Sequence, residues 1–379
     1  MGTPGSLPLF STHPTSTKDV LAKWFPVPQA LYPRSVGIDI SDASIKWLAL
    51  ADRAKEERIT SWGEEPLPEG IVVDGIVQDV EALATALRSV KNKLGGIQYA
   101  HAALPEEAAY VFSMHVPESS RRQNVLSMIE FEFGGRVPIA PGAAVYDFDV
   151  ILKHDDGAGE EVGVVVFPRE LAHAYAEAFQ AAGIHLLSLE IEARSIARAV
   201  SSASEDEPIT LLVDFGRTRT GFAVLKRGVP IFTSTVAVGG ATMTRLLIEK
   251  MSLAPKDAEE FKNEKGLLAA VGGAKSPEAE ALTTTASALA EEVARHFHYW
   301  DTRRNEQGER MTPVGRVFLL GGSANLKGLP DYIAAKVQAP VLRPDVWQHV
   351  CSFDTYIPPF DRRISLQYAT AIGLALRGI

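Results

Sequence analysis

VGIDISDASIKWLAL, residues 36–50, reads as a buried strand ending in an aspartate, then a tight turn, then an alternating strand. The pattern returns at residues 211–225 as LLVDFGRTRTGFAVL, with Asp214 taking the place of Asp39, an interval of 175 residues. A period this long is too large for a solenoid. It implies two duplicated α/β domains, each opened by the same hairpin.

Working outward, Asp79 is placed to cap a helix whose apolar stripe is Val80, Leu83, Leu87, Val90 and Leu94, with Gly95 and Gly96 as its stop. Residues 98–104 and 162–167 read as strands, and 123–133 and 170–182 as helices, the second stopping at Gly183. After the acidic linker SSASEDEP (201–208) the second hairpin continues through the Lys226-Arg227-Gly228 turn into VPIFTSTV (229–236). VFLLGGSANLKGL (317–329) is a buried strand running into Gly321-Gly322-Ser323, followed by a helix through Asp331 to Val337. The expected organisation is a tail over 1–34, a first domain over 35–204 with an inserted subdomain at about 106–184, and a second domain over 205–379. The second domain carries a helical insertion at about 240–312.

Of the 379 residues 46% are hydrophobic, enough for a core in each domain. Apolar runs such as Val162–Phe167 fall far short of the roughly 20 residues that span a bilayer. The start, MGTPGSLPLF, lacks the basic and continuous apolar stretches of a secretory signal, and Thr3-Pro4 after Met1-Gly2 is a poor acylation context. A single cysteine, Cys351, excludes an internal disulfide framework and a cysteine-built zinc site, and suits a reducing compartment. A net charge of -9 with no dense basic block argues against a nucleic-acid partner. Small anions remain open, because backbone N–H groups and helix termini hold them without net positive charge. The tail carries Val20, Leu21, Trp24 and Phe25, which either dock on their own domain or touch a membrane surface or partner.

A strand that ends in Asp before a tight turn brings a carboxylate and several N–H groups to one sheet edge. Two such turns facing each other would clamp a polyphosphate, the N–H groups binding phosphate oxygens while Asp39 and Asp214 hold hydrated Mg²⁺. Taken singly, each is commonly no more than a turn, and the repeat is what argues for a site. Gly321-Gly322 adds a place where backbone approaches a ligand with no Cβ between.

These motifs, in this order, resemble the actin, sugar-kinase and heat-shock-chaperone superfamily. The resemblance implies an α/β, actin-like (ribonuclease-H-like) duplicated two-domain fold with a subdomain inserted in each half. GIDISDASIK (37–46) resembles the first phosphate motif, which assigns Asp39, Ser41, Asp42, Ala43, Ser44 and Lys46 to nucleotide binding. DFGRTRT (214–220) resembles the second, with Asp214, Gly216, Arg217, Thr218, Arg219 and Thr220. LGGSANLKGL (320–329) resembles the adenosine motif, with Gly321, Gly322, Ser323 and Asn325. In PKDAEEFK (255–262), Glu259 and Lys262 resemble the acidic and basic pair that contacts ribose and adenine. LEIEARSIARA (189–199) and QYATAIGLALR (367–377) resemble the two connecting helices, the second with small Ala369, Ala371, Gly373 and Ala375 for close packing.

Within the superfamily the chain is similar to the PilM family and its cell-division relative FtsA. The similar stretches are LPEGIVVDGIVQDVEALATALRSV (67–90), IEFEFGGRVPI (129–139), PRELAHAYAEAFQAAGI (168–184), VPIFTSTVAVGGATMT (229–244) and AIGLALRG (371–378). The resemblance implies a cytoplasmic platform protein of a type IV pilus assembly complex that binds ATP or ADP with Mg²⁺. It would bind the N-terminal cytoplasmic peptide of a PilN-like inner-membrane protein near the first insertion, work with other pilus assembly proteins, and attach to the inner membrane through that partner. Self-association is left open. The readings set against it are an FtsA-like filament-forming ATPase, whose chains normally end in an amphipathic membrane helix, and a small-molecule kinase of the same superfamily.

Departures bear on activity. Ser41 stands where relatives commonly carry Gly, and Arg217 and Arg219 stand where small polar residues are usual, either to grip phosphates or to block them. Glu190 and Glu192 occupy the region from which the superfamily draws its catalytic acid, with an ion pair to Arg194 or Arg198 as the alternative. Hydrolysis is accordingly expected to be weak or absent. VGGAKS (271–276) fails the P-loop pattern, and His296 and His298, two apart on a helix, face different ways. Leu289, Val293, Phe297 and Trp300 have core spacing, and no Ser-His-Asp arrangement is legible.

Overall fold

Each Asp-turn hairpin seeds a sheet, and the two sheets share one strand order. The computed structural model describes residues 33–51, 59–118, 120–153, 159–202, 204, 206–267, 277–304 and 310–377. The tail up to residue 32 and the VGGAKS segment lie outside the described residues.

In the first half, β1 (Ser35–Ile40) and β2 (Ser44–Leu50) pair antiparallel with Asp39 opposite Lys46, and β3 (Ile59–Pro66) adds to β2. The ribbon β4 (Val72–Val73) and β5 (Ile76–Val77) leads into helix α1 (Val80–Lys93), capped by Asp79, whose carboxylate accepts from the Ala82 N–H at 2.9 Å. β6 (Tyr99–Leu104) runs parallel to β1. Then come β7 (Tyr110–Val116), α2 (Arg122–Arg136), β8 (Ala144–Lys153), β9 (Glu160–Pro168), α3 (Arg169–Ala182), β10 (His185–Ile191) and α4 (Glu192–Val200).

The second half holds β11 (Thr210–Phe215), β12 (Thr220–Lys226), β13 (Val229–Val236), α5 (Gly240–Met251), α6 (Pro255–Lys265) and α7 (Pro277–Thr302). β14 (Arg316–Leu320), α8 (Leu329–Val337), β15 (Val341–Leu342), α9 (Arg362–Ser365) and α10 (Ala369–Arg377) complete it. The first sheet is ordered β10-β6-β1-β2-β3 and the second β13-β12-β11-β14-β15, so β1, β2, β3, β6 and β10 correspond to β11, β12, β13, β14 and β15. The central strands are apolar on both faces because helices cover both sides, as parallel pairing requires.

Two sequence boundaries move. The inserted unit is the separate sheet β7-β9-β8 with α2, and it ends at Pro168 rather than near residue 184. α3 instead lays Leu171, Tyr175, Ala178 and Phe179 into the core of the first sheet, because its stripe fits α1 and that sheet. The first connecting helix begins at Glu192, not Leu189. Leu189–Ile191 remain strand, registered on Ala102, Ala103 and Leu104 of β6, which buries Leu189 and Ile191.

The halves join through α4 and α10: α10 packs on β1, β2 and β6 of the first sheet and against α4, and buried residues of both helices run on into the core cluster of the second sheet. The contact is backbone-close: a Cβ on Gly373 would lie 1.8 Å from the Ser195 carbonyl oxygen, and one on Gly37 would lie 2.2 Å from that of Ala371. A second seam joins the inserted sheet to the β12–β13 hairpin, with Lys226 paired to Glu161 at 2.5 Å and Arg194 of α4 bridging Asp149 of β8 to the Gly228 carbonyl at 3.0 Å. On α7, Leu289, Val293 and Trp300 are buried; His296 stacks on Phe222 while His298 faces solvent. Among the described residues no helix is long and apolar enough to cross a membrane.

Candidate functional site

The duplicated hairpins place their turns on facing edges of one cavity of about 1030 Å³, at the top of the range for ligand pockets. From the first turn it is lined by Asp39, Ser41, Asp42, Ala43, Ser44 and Lys46; from the second by Asp214, Gly216, Arg217, Thr218 and Arg219. Glu259 and Lys262 on α6, Gly321, Gly322, Ser323 and Asn325 after β14, and Glu192 at the start of α4 complete the set of expected residues that reach it.

The first turn is closed by its own serine. The Ser41 N–H and hydroxyl both donate to the Ser44 carbonyl, at 2.9 and 3.0 Å, and Ser44 N–H donates back to Ser41 Oγ at 3.2 Å. Ser41 is not among the residues with positive φ, so the turn has no conformational need for the glycine of relatives. Lys46, directly across from Asp39, reaches Ser44 Oγ at 3.0 Å and Glu64 at 3.4 Å.

The second turn hands its carbonyls to α5: Gly240 N–H donates to Gly216 O at 3.1 Å and Ala241 N–H to Arg217 O at 2.8 Å. Ser323 Oγ adds a second donor to Gly216 O at 3.0 Å. Because each peptide is a trans plane, the N–H groups of Arg217 and Thr218 then point away from α5. Gly321, at φ +88°, lets the end of β14 close on Asp214; any Cβ there would lie 2.4 Å from the aspartate oxygen. At the far end Lys262 bonds Glu259 at 2.5 Å and Thr244 at 3.1 Å, and Thr244 donates to Glu259 at 2.6 Å, a closed triad.

Two expected residues do not reach the cavity. Thr220 is fully buried in β12 and donates to the Val238 carbonyl at 2.5 Å. Glu190 sits on β10 and is bound by Arg198 at 2.6 and 2.7 Å, by Ser195 at 2.7 Å and by Arg377. Burial alone would raise its carboxyl, but the two guanidiniums outweigh burial and hold it well below the ordinary range. The alternative weighed from sequence, an ion pair with Arg198, is the one the fold builds, whereas Arg194 goes to Asp149 at 2.8 Å.

The end of the cavity formed by the two turns is dense in carboxylates. Burial raises Asp39 against the opposing charge of Lys46, and burial together with Asp39 raises Asp214 to about 6. Glu106 and Glu107, not singled out from sequence, join them on the short turn after β6. Burial and the charge of Asp214 push Glu106 well above the ordinary range, and burial with Asp39 does the same to Glu192. The backbone of Ala193, in the first turn of α4, works against this rise by favouring the charged Glu106 carboxylate. A signal for this pair existed: β6 is the counterpart of β14, so by strand register Pro105-Glu106 stands where Gly322-Ser323 stands in the second half.

Residues 37–379 match the family model described as type IV pilus assembly protein PilM. The chain belongs to the PilM family. Among solved structures, this PilM-family chain is similar to one titled PilM-PilN type IV pilus biogenesis complex: TM-score 0.74, 20% identity, 91% of this chain and 98% of that one. It is similar to MreB5 of Spiroplasma citri bound to ADP, with TM-score 0.53, 12% identity and coverage of 92% and 96%. Among curated proteins it is 23% identical to cell division protein FtsA of Streptococcus pneumoniae serotype 2 (strain D39 / NCTC 7466), covering 78% of this chain and 72% of that one. The PilM-family fold is the actin-like fold, with the cavity in the interdomain cleft.

Proposed function

We propose that the chain is an ATP- and ADP-binding platform protein of a type IV pilus assembly complex, with nucleotide held in the cleft between the two halves. The observation that carries this reading is the convergence of both phosphate turns, the Gly321-Gly322 strand end and the Glu259–Lys262–Thr244 triad on one cavity of about 1030 Å³. The Arg217 and Thr218 N–H groups and Lys46 take the phosphates, the triad takes the ribose hydroxyls, and backbone at Gly321-Gly322 faces the adenosine end. The ADP-bound MreB5 neighbour is consistent with this use of the fold.

Asp39 and Asp214 are the residues that would hold Mg²⁺ through water. Among the described residues no three His, Cys, Asp or Glu side chains group to hold a metal by themselves, so the cation suits arrival with phosphate oxygens. Bound there, it supplies positive charge that relieves the raised pKa values of the two aspartates. Turnover is weak or absent on this reading: burial and the neighbouring carboxylates raise Glu192 and Glu106 well above the ordinary range, which disfavours the charged form that a general base needs.

The partner is the N-terminal cytoplasmic peptide of a PilN-like inner-membrane protein, docked at the inserted sheet β7-β9-β8, which would bring a cytoplasmic protein to the membrane. Family membership and the likeness to a chain of a PilM-PilN complex support it. Calorimetric titration of ATP with Mg²⁺, of ADP, and of that synthetic peptide tests both parts. Saturable nucleotide heat in wild type, lost in Asp214→Ala with the peptide heat retained, is the expected result. No nucleotide heat, or identical heats in both proteins, rejects the nucleotide reading, and no peptide heat rejects the partner.

A further inference from the structure

The guanidinium of Arg219 leaves its own half of the molecule. Although Arg219 belongs to the second phosphate turn, its Nη2 donates to Asp42 of the first turn at 2.9 Å, and its Nε pairs with Glu107 after β6. Nη1 lies 3.7 Å from Asp74, in the β4–β5 turn. Asp42 in turn accepts from the N–H groups of Gly75 at 3.1 Å and Asp74 at 3.3 Å, so the same tie fastens the β4–β5 turn. One side chain thus bridges the cleft to three separate segments of the opposite half. The tie leaves a donor over: Nη1 is buried with no hydrogen-bond partner among the described residues.

We infer that Arg219 is a phosphate-responsive clasp across the cleft. This rests on the nucleotide reading above. Arg219 shares its four-residue turn with Arg217 and Thr218, whose N–H groups are the phosphate donors, so a polyphosphate seated on them lies within reach of the guanidinium. Its oxygens then compete with the Asp42 and Glu107 carboxylates for one fork of N–H donors. Loading trades carboxylate for phosphate, which releases the first turn and the β4–β5 turn from the second half; loss of the ligand re-forms the tie. A ligand shifts such an equilibrium only through its different affinity for the two states, and the exchanged guanidinium bonds supply that difference. The question left open by the sequence, whether this arginine grips phosphate or blocks it, resolves into both in alternation.

The test turns on opposite signs. Glu107→Gln removes a competitor and leaves the guanidinium, so the affinity for ATP with Mg²⁺ should rise about tenfold, the weight of one charge-assisted hydrogen bond. Arg219→Gln should lower it about tenfold, and Glu107→Gln added to Arg219→Gln should bring no gain. Amide exchange at Gly75, held by Asp42 in the empty protein, should speed up on adding ATP with Mg²⁺ or inorganic tripolyphosphate, and in Arg219→Gln without ligand. Unchanged or weakened affinity in a Glu107→Gln protein that unfolds like wild type overturns the clasp. If wild type binds no nucleotide but tripolyphosphate still speeds exchange at Gly75, the nucleotide reading fails and the clasp stands. If neither ligand alters that exchange, the clasp fails.

Discussion

Glu190→Gln separates a structural role from a catalytic one. The carboxylate is completely buried and takes four hydrogen bonds from Ser195, Arg198 and Arg377, knitting the end of β10 to α4 and α10. Amidation leaves two guanidiniums facing a neutral group. Removing one partner of a buried pair costs about 3–5 kcal/mol. The Arg198 and Arg377 side chains keep 22% and 15% exposure, so water compensates part of their charge and the lower end applies, about 3 kcal/mol. With a urea m-value of about 3 kcal/mol/M, the unfolding midpoint should fall by about 1 M at constant slope. Nucleotide affinity at a temperature where the variant is folded should not change, because Glu190 does not line the cavity. An unmoved midpoint with lost nucleotide turnover would refute the placement and return Glu190 to catalysis.

Two further outcomes follow from the same structure. Asp214, raised from 3.8 to about 6, is more protonated in the folded state, so the empty protein should gain stability as pH falls from 7 through 6 toward 4.5. Glu190 is depressed from 4.5, so its contribution is whole above that pH and is lost below it; the Asp214 gain is read as the difference in thermal unfolding between wild type and Asp214→Asn, which should grow in favour of wild type from pH 7 to 4.5, and a difference that does not change with pH would contradict the site electrostatics. Gly373→Ala must push α10 off α4, since the new methyl would meet the Ser195 carbonyl at 1.8 Å. Overpacking of about 1–3 kcal/mol exceeds the helix-propensity gain of about 1 kcal/mol and should lower the midpoint. Gly135→Ala in α2, with open space around it, should be neutral or stabilising, and a stable Gly373→Ala would show that the two helices are not in backbone contact.

Local pattern exposed much of the fold. The two hairpins, the cap at Asp79, the glycine stop after α3 and the strand before Gly321 depend on period, capping and φ > 0, all of which neighbouring residues carry. The sequence resemblance starts the first connecting helix three residues early because LEI has no local feature separating a strand end from a helix start. Parallel registry with β6, set by residues some 90 positions away, makes it strand. The insertion boundary moved for a like reason: the stripe of α3 declares a helix but not the sheet it covers. In the cleft, the aspartates were legible because the repeat doubled them and Gly321-Gly322 because they end a buried strand, whereas Glu106 and Glu107 have no counterpart carboxylates in the second half.

The sequence by itself determined the duplication, the identity of both Asp-ended strands and the three motifs that meet at the cleft, because strand-turn-strand geometry and the tolerance of glycine for close approach are properties of adjacent residues. The tertiary structure alone decided where the charges went. Glu190 and Glu192 lie two residues apart, yet one is sealed between two arginines and the other faces the cavity, since the chain changes from strand to helix between them. Arg219 finds Asp42 across 177 residues of chain. Coulomb interaction depends on distance through space and on burial, and neither is set until the two halves have closed on each other.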